Sequence, residues 1–321
     1  MAITLHAAGP ARHDRAVIFA VDGKYARFAL FAAAQIAALN PERDFDIVIC
    51  SMVEDLAAPP SLAPLGIRFC RVTTADAFDG LRLDPGRTAA VYLRLALPEA
   101  FAAEYRRLLY LDADIFVQGG DLSALLGLDL KGFGLGAVRD NIQWRTPGRR
   151  PEQFRRLGLP TAKYFNAGLL LLDVQDYLDS GIMPRCVELG RRHRDIMIRH
   201  DQNLLNAVLQ GGWAELHPTW NWLYTRDTAF FEAMEDANIV HFIGPKKPWN
   251  HTGGALPRRF RRAYRAFFAE HAPGGPQIGP DGKAPHENRS WMRKSLLRHA
   301  VSMNRFCDYL DRFEGELDVK V

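Results

Sequence analysis

The sequence has few cysteines, no long apolar run and little excess of either charge. Its four cysteines stand far apart, at 50, 70, 186 and 307. None falls in a Cys-x-x-Cys, so neither a zinc site nor a redox pair is indicated, and a thiol-bearing protein of a reducing compartment is the economical reading. The longest nearly apolar stretch, Phe28–Leu39, is interrupted by Gln35 and is too short to span a bilayer. Met1–Arg15 lacks the apolar core of a signal peptide and holds Pro10, Arg12, His13 and Asp14, so the protein is expected in the cytoplasm. Lys and Arg number 41 against 37 Asp and Glu, a formal net charge of +4, which does not call for nucleic acid as a partner. No internal repeat is present.

What is there suffices for a large core: 321 residues, 48% of them hydrophobic. Short apolar runs at Val17–Val21, Asp46–Cys50, Ile67–Val72, 108–111, Gly132–Val138, Tyr164–Leu172 and Ile239–Ile243 read as strands. Helical stretches are expected at Tyr25–Leu39, Thr88–Leu97 (ending near Pro98), Glu152–Leu157, Val174–Leu178, Arg185–Arg199 and Asp201–Leu209. Strands alternating with helices indicate an α/β fold with a mainly parallel sheet flanked by helices, whose ligands bind beyond the carboxyl ends of the strands. Asp22 and Asp112 both stand at such ends.

The stretch that organises the chain is Leu108–Val117, an apolar run with Asp112 and Asp114 set into it. Two residues apart in extended chain, they project to one side. Paired carboxylates beside an apolar core are costly through desolvation and mutual repulsion, and a divalent cation removes both penalties. His241 adds a nitrogen to these oxygens, a mixed set that suits Mn²⁺ better than Ca²⁺. Lys247, in a Gly-Pro loop, suits a phosphate. Singly, each of these has an ordinary reading: a surface turn, a core histidine, a solvated lysine.

Six motifs in order change that: Phe19-Ala20-Val21-Asp22, Tyr92-Leu93-Arg94-Leu95, Leu111-Asp112-Ala113-Asp114, Phe165-Asn166-Ala167-Gly168, His200 to Asn206 and His241 to Trp249. Together they resemble glycosyltransferase family 8, above all the bacterial lipopolysaccharide galactosyl- and glucosyltransferases. The resemblance runs from Val17 to Trp249. It implies a GT-A fold and a retaining transfer of galactose or glucose from a UDP-sugar to lipopolysaccharide core or another surface glycan, with Mn²⁺ (or Mg²⁺) on the diphosphate. By motif, Ala20, Asp22 and Tyr25 meet the uridine, and Arg94 meets the ribose or sugar. Asp112, Asp114 and His241 hold the metal, with Ala113 between the carboxylates also on the donor. Gly244 and Lys247 bind the diphosphate. Asn166, Asp201 and Gln202 line the reacting face of the sugar, with Gln202, Asp201 and Asn166 as the catalytic set, and Asp140 meets the donor sugar or acceptor. Asp201 is also in position to cap its helix.

Two departures stand out. Lys24 follows Gly23 where relatives often carry Asp and Asn. The loop 141–163 has a basic middle, Arg145 to Arg150, which either tunes the acceptor site toward an anionic glycan or is simply solvated. A catalytic domain over 14–254 is expected, followed by a basic, aromatic helical extension over 255–321 with a linker at Pro273–Pro285. In the extension Ser290–Phe313 reads as an amphipathic helix, with Trp291, Leu296, Leu297, Met303, Phe306, Leu310 and Phe313 against Arg293, Lys294, Arg298 and Arg305. Such a helix fits peripheral contact with an anionic membrane at the inner face of the plasma membrane. Other readings are a catalytically silent sugar-nucleotide-binding or scaffold protein, which the metal ligands argue against, and a nucleotidyltransferase, for which Asp22-Gly23-Lys24 is too short a loop to hold a triphosphate.

Overall fold

The computed structural model describes residues 3–52, 56–275 and 277–321. Residues 1–2 of the amino-terminal segment, 53–55 of the segment between the second and third strands expected above, and Pro276 of the linker lie outside them. In chain order the elements are β1 (Thr4–Ala7), β2 (Arg15–Ala20), α1 (Ala26–Leu39), β3 (Asp46–Ser51), β4 (Arg68–Thr73), α2 (Leu93–Ala100), β5 (Arg107–Leu111), β6 (Ile115–Val117) and α3 (Leu122–Leu126). There follow β7 (Leu135–Arg139), α4 (Glu152–Arg156), β8 (Phe165–Asp173), α5 (Val174–Asp179), α6 (Ile182–Arg192), α7 (His200–Leu209), β9 (Ala214–Leu216), β10 (Trp222–Leu223), α8 (Ala229–Met234) and β11 (Ile239–His241). Last come α9 (Arg258–His271), α10 (Arg289–Leu310) and β12 (Val319–Lys320).

One large sheet has the order β1-β4-β3-β2-β5-β8-β7-β9-β12, and a small one the order β10-β11-β6. The run β4-β3-β2-β5 is parallel, as the alternation of strands and helices predicts; β8 then enters antiparallel to β5. Alternate residues serve opposite faces. Val17, Phe19, Leu109 and Leu111 pack with α1, whereas Ala16, Ile18, Leu108 and Tyr110 pack with α2, α5, α6 and α7.

Several boundaries differ from the sequence reading. The helix expected over Arg185–Arg199 is α6, which stops at Arg192; a short 3₁₀ turn at Arg194–Ile196 follows, and α7 starts one residue early at His200. α2 runs through Pro98 to Ala100, with the proline forfeiting the bond to the Arg94 carbonyl in the last turn of this short helix. The short strands β1, β6, β9, β10 and β12 are too brief to carry a periodic signal.

The aromatic residues of 255–321 lie inside. Phe260, Tyr264 and Phe268, spaced four apart on α9, join the core on the α1 face, and the Tyr264 hydroxyl donates to the Ile115 carbonyl at 2.5 Å. Phe306 and Tyr309 of α10 pack against Trp144. The linker is pinned: Arg261 donates to the Pro280 carbonyl, and Lys283 N to the Thr252 carbonyl. Trp291, read from sequence as part of an interfacial face, is 8% exposed, while Leu296, Leu297, Val301 and Met303 face outward. α10 carries two apolar stripes, and periodicity alone does not say which turns inward. No described helix is long and apolar enough to cross a membrane.

Candidate active site

A cleft of about 1290 Å³ opens beyond the carboxyl ends of β2, β5 and β7. Every site residue named from the sequence lines it: Ala20, Asp22, Tyr25, Arg94, Asp112, Ala113, Asp114, Asp140, Asn166, Asp201, Gln202, His241, Gly244 and Lys247. Lys24 does not line it; it stands exposed in the turn after Asp22.

Asp112 and Asp114 do not sit in extended chain as their spacing suggests. The chain bends between β5 and β6, because β5 pairs with β8 of the large sheet and β6 with β11 of the small one. Backbone bonds hold the bend: Asp112 N donates to the Gly168 carbonyl at 2.8 Å, and Phe242 N to the Asp114 carbonyl at 3.1 Å. His241, the last residue of β11, brings Nε2 to 3.2 Å from Asp114 Oδ1 and 3.7 Å from Asp112 Oδ2. Ligand atoms of all three lie within 4.8 Å of one another. A small divalent ion bound at about 2.1 Å sets neighbouring ligand atoms about 3 Å apart, so two carboxylates and an imidazole in this arrangement suit one such ion.

The sequence reading missed what orients His241. Its Nδ1 is 3.0 Å from Asn221 Oδ1, and Asn221 Nδ2 donates to Asn166 Oδ1 at 3.1 Å. With the Asn221 amide nitrogen so committed, its oxygen accepts and His241 Nδ1 donates, which turns Nε2 toward the carboxylates. The chain continues. Asn166 Oδ1 also accepts from Gly168 N at 2.9 Å, while Asn166 Nδ2 and Ala167 N both reach Gln202 Oε1 at 3.3 Å. Gln202 Nε2 then donates to Asp140 Oδ2 at 3.2 Å and to the Tyr164 hydroxyl at 3.3 Å. One run of amides thus fixes side-chain orientation from His241 to Gln202. Asn221 sits in Trp220-Asn221-Trp222, where neither spacing nor composition sets it apart.

A register shift makes this possible. Ala137 pairs with Leu170 but Val138 with Asn166, so three residues of β8 bulge toward the cleft. The freed Ala167 carbonyl accepts from Arg94 Nη1 at 2.7 Å. Gly168 lets the His241 ring pack directly on the bulge, since a Cβ there would fall 2.2 Å from His241 Cε1.

Arg94 is the hub of the charges. Its guanidinium stands 3.1 Å from both Asp112 Oδ1 and Asp201 Oδ2, lies over the Tyr110 ring, and is held protonated by both carboxylates against the cost of burial. Tyr110 adds a 2.6 Å bond to Asp112. Burial pushes the Asp201 carboxyl up to about 6, with Arg94 opposing and Asp112 adding to the rise. His200 opens α7 at a φ of +47°, a left-handed conformation rare outside glycine, and directs Asp201 and Gln202 into the cleft. Asp201 is not the cap; Arg199 holds that position without a side-chain bond. Lys247, 9% exposed, sets Nζ 2.5 Å from Asp114 Oδ2 and donates to the Phe242 carbonyl.

The family model for glycosyl transferase family 8 matches residues 16–253. The chain belongs to glycosyl transferase family 8. General stress protein A of Bacillus subtilis is 33% identical over 179 residues, which cover 51% of this chain and 60% of that protein. Lipopolysaccharide 1,2-glucosyltransferase of Escherichia coli is 24% identical over 300 residues, covering 88% and 86% of the two chains. Among solved structures, galactosyltransferase LgtC in complex with donor and acceptor sugar analogs aligns with a TM-score of 0.66 at 25% identity, over 86% of this chain and 99% of that one. The large mixed sheet flanked by helices is therefore the GT-A fold, as this family 8 member's sequence motifs imply.

Proposed function

We propose that this glycosyltransferase moves glucose or galactose from a UDP-hexose to a glycan acceptor, with retention at the anomeric carbon and dependence on Mn²⁺ or Mg²⁺. The observation that carries the reading is the convergence of Asp112, Asp114 and His241 beside Lys247, with Gln202 at the far end of one amide chain. The relatives named lipopolysaccharide glucosyltransferase and galactosyltransferase support the choice of sugar. Asp112, Asp114 and His241 would hold a divalent cation, which would supply positive charge against the diphosphate.

The residues of the chain divide the remaining work. Ala20, Asp22 and Tyr25 hold the uridine, and Gly244 and Lys247 the diphosphate, where the ammonium meets the charge that grows as the glycosidic bond breaks. Ala113 and Arg94 position the donor, and Asp140 steadies the Gln202 amide beside the sugar. Gln202 is bonded at both ends of its amide and is a neutral, poor nucleophile. It stabilises the positive anomeric centre while the acceptor hydroxyl attacks on the face UDP leaves. Asp201, buried and paired with Arg94, contributes charge rather than a covalent bond; a hexosyl adduct found on Asp201 by mass spectrometry would establish double displacement instead.

The direct test is UDP release from a panel of UDP-glucose, UDP-galactose and UDP-N-acetylhexosamines, with and without Mn²⁺. Binding without any turnover would favour the scaffold reading. The raised Asp201 carboxyl also gives a pH signature. With its pKa near 6, Asp201 is ionised at pH 7.5 and becomes mostly protonated by pH 5, releasing Arg94. The rate of UDP release should therefore fall below about pH 6, roughly tenfold per pH unit at the limit. Asp201→Asn should be slow throughout and lack this limb; an unchanged limb in the variant assigns it to another group.

Membrane contact belongs to the same proposal. The outward stripe Leu296, Leu297 and Val301 of α10 is flanked by exposed Arg293, Lys294 and Arg305. Leu297→Asp/Val301→Asp is expected to abolish flotation with anionic vesicles without changing the melting curve; equal flotation of variant and wild type rejects the contact.

A further inference from the structure

A second cavity, of about 580 Å³, adjoins the cleft and shares Ile198 and Arg199 with it. It lies where the amide chain ends. The Tyr164 hydroxyl that accepts from Gln202 also accepts from Asn203 Nδ2 at 3.0 Å, and Tyr164 and Asn203 both line this cavity. The metal ligands and Lys247 stand at the other end of the same chain of hydrogen bonds. A sugar transferred beside Gln202 thus has the diphosphate site on one side and this cavity on the other.

Charge sets the cavity apart. Five arginines line it (149, 150, 155, 156 and 199) against one carboxylate, Glu152, a surplus of 5 − 1 = +4. The whole chain carries 41 − 37 = +4, so the rest of the molecule balances to zero. Arg155 pairs with Glu152, Arg150 donates to the Leu159 carbonyl, and Arg199 stands 3.4 Å from Asp140. Arg149 and Arg156 find no side-chain acceptor among the described residues. The floor is firm, because Asn203 Nδ2 donates to Gln153 Oε1 at 2.6 Å and both residues are buried. Guanidinium groups gathered in one concave site repel one another unless an anion joins them, and their planar fork matches phosphate and carboxylate.

We propose that the second cavity is an acceptor subsite for an anionic glycan, binding a phosphate or carboxylate group on the acceptor while its hydroxyl is presented beside Gln202. This rests on the hexosyltransferase reading for the role of the ligand, though not for the binding of the anion itself.

The test uses the full chain with UDP and Mn²⁺ in excess, so that probes are kept from the diphosphate site. Glucose 6-phosphate, glucuronate and methyl glucoside are titrated by calorimetry. At least one anionic sugar should bind roughly tenfold or more tighter than methyl glucoside. That advantage should shrink as ionic strength rises from about 0.01 to 0.15 M. It should disappear in Arg149→Ser/Arg156→Ser and largely survive in Arg149→Lys/Arg156→Lys, with melting curves confirming that both fold. Preference for glucose 6-phosphate assigns a phosphate to the acceptor, and preference for glucuronate a carboxylate. Equal binding of the neutral sugar, or an advantage untouched in the serine variant, overturns the proposal. Failure of UDP to bind with Mn²⁺ is a separate result: it removes the donor reading, and the titration without UDP still reads the cavity.

Discussion

Asp114→Asn should lower the rate of UDP release by about a thousandfold or more, because several kcal/mol of charge stabilisation on the departing diphosphate depend on the group it helps to hold. Asp114 faces His241 at 3.2 Å and Lys247 at 2.5 Å, so a neutral amide there weakens both relations at once. Burial raises the Asp114 carboxyl, but His241 and Lys247 outweigh it and keep the group well below the usual carboxylate range. Free Mn²⁺ followed by electron paramagnetic resonance should show the loss of binding independently of turnover. A variant that folds, releases UDP at the wild-type rate and ignores a chelator would end the metal-dependent reading.

Gly168→Ala tests the same centre from behind. The added methyl would sit 2.2 Å from His241 Cε1, 2.5 Å from His241 Nδ1 and 2.9 Å from Asn166 Oδ1. The backbone of Gly168 is not in the left-handed region, so the conflict is one of space rather than of dihedral angle. The imidazole must move off Asn221 or the bulge must open. Disturbing groups that orient a metal ligand commonly costs 10- to 100-fold in affinity, and overpacking costs about 1–3 kcal/mol of stability. We expect Mn²⁺ affinity to fall by about 100-fold and the melting temperature to drop. Adding His241→Ala should recover part of the lost melting temperature but none of the affinity, which separates crowding from ligation. Wild-type Mn²⁺ affinity in Gly168→Ala would refute the account.

The carboxylates, His241 and Lys247 could be read from the sequence because each breaks an expectation: acids inside an apolar run, an imidazole within a short apolar strand, a lysine among prolines. Gly168 stood out as part of the Phe165–Gly168 motif, but the imidazole that packs on it was not legible. Asn221 and Tyr110 were not, since an asparagine between two tryptophans and a tyrosine within a strand look like ordinary core. Their roles arise from pairings across 20 residues in one case and from the bend after β5 in the other. The fold was legible where strands were long enough to show a period. The inward face of α10 was not, because two apolar stripes on one helix are equivalent until a partner surface chooses between them.

Strand β9, held on one side by β7, pairs on the other with Val319–Lys320, and Trp144 packs on side chains of residues 306 and 309. During synthesis the amino-terminal 250 or so residues emerge first, with the outer edge of β9 unpaired and one face of that indole uncovered. The nascent protein therefore keeps a sticky edge open until residues 306–320 have emerged and folded back. A chain cut short before residue 306 is expected to leave this edge exposed and to aggregate, which light scattering of the truncated protein would read.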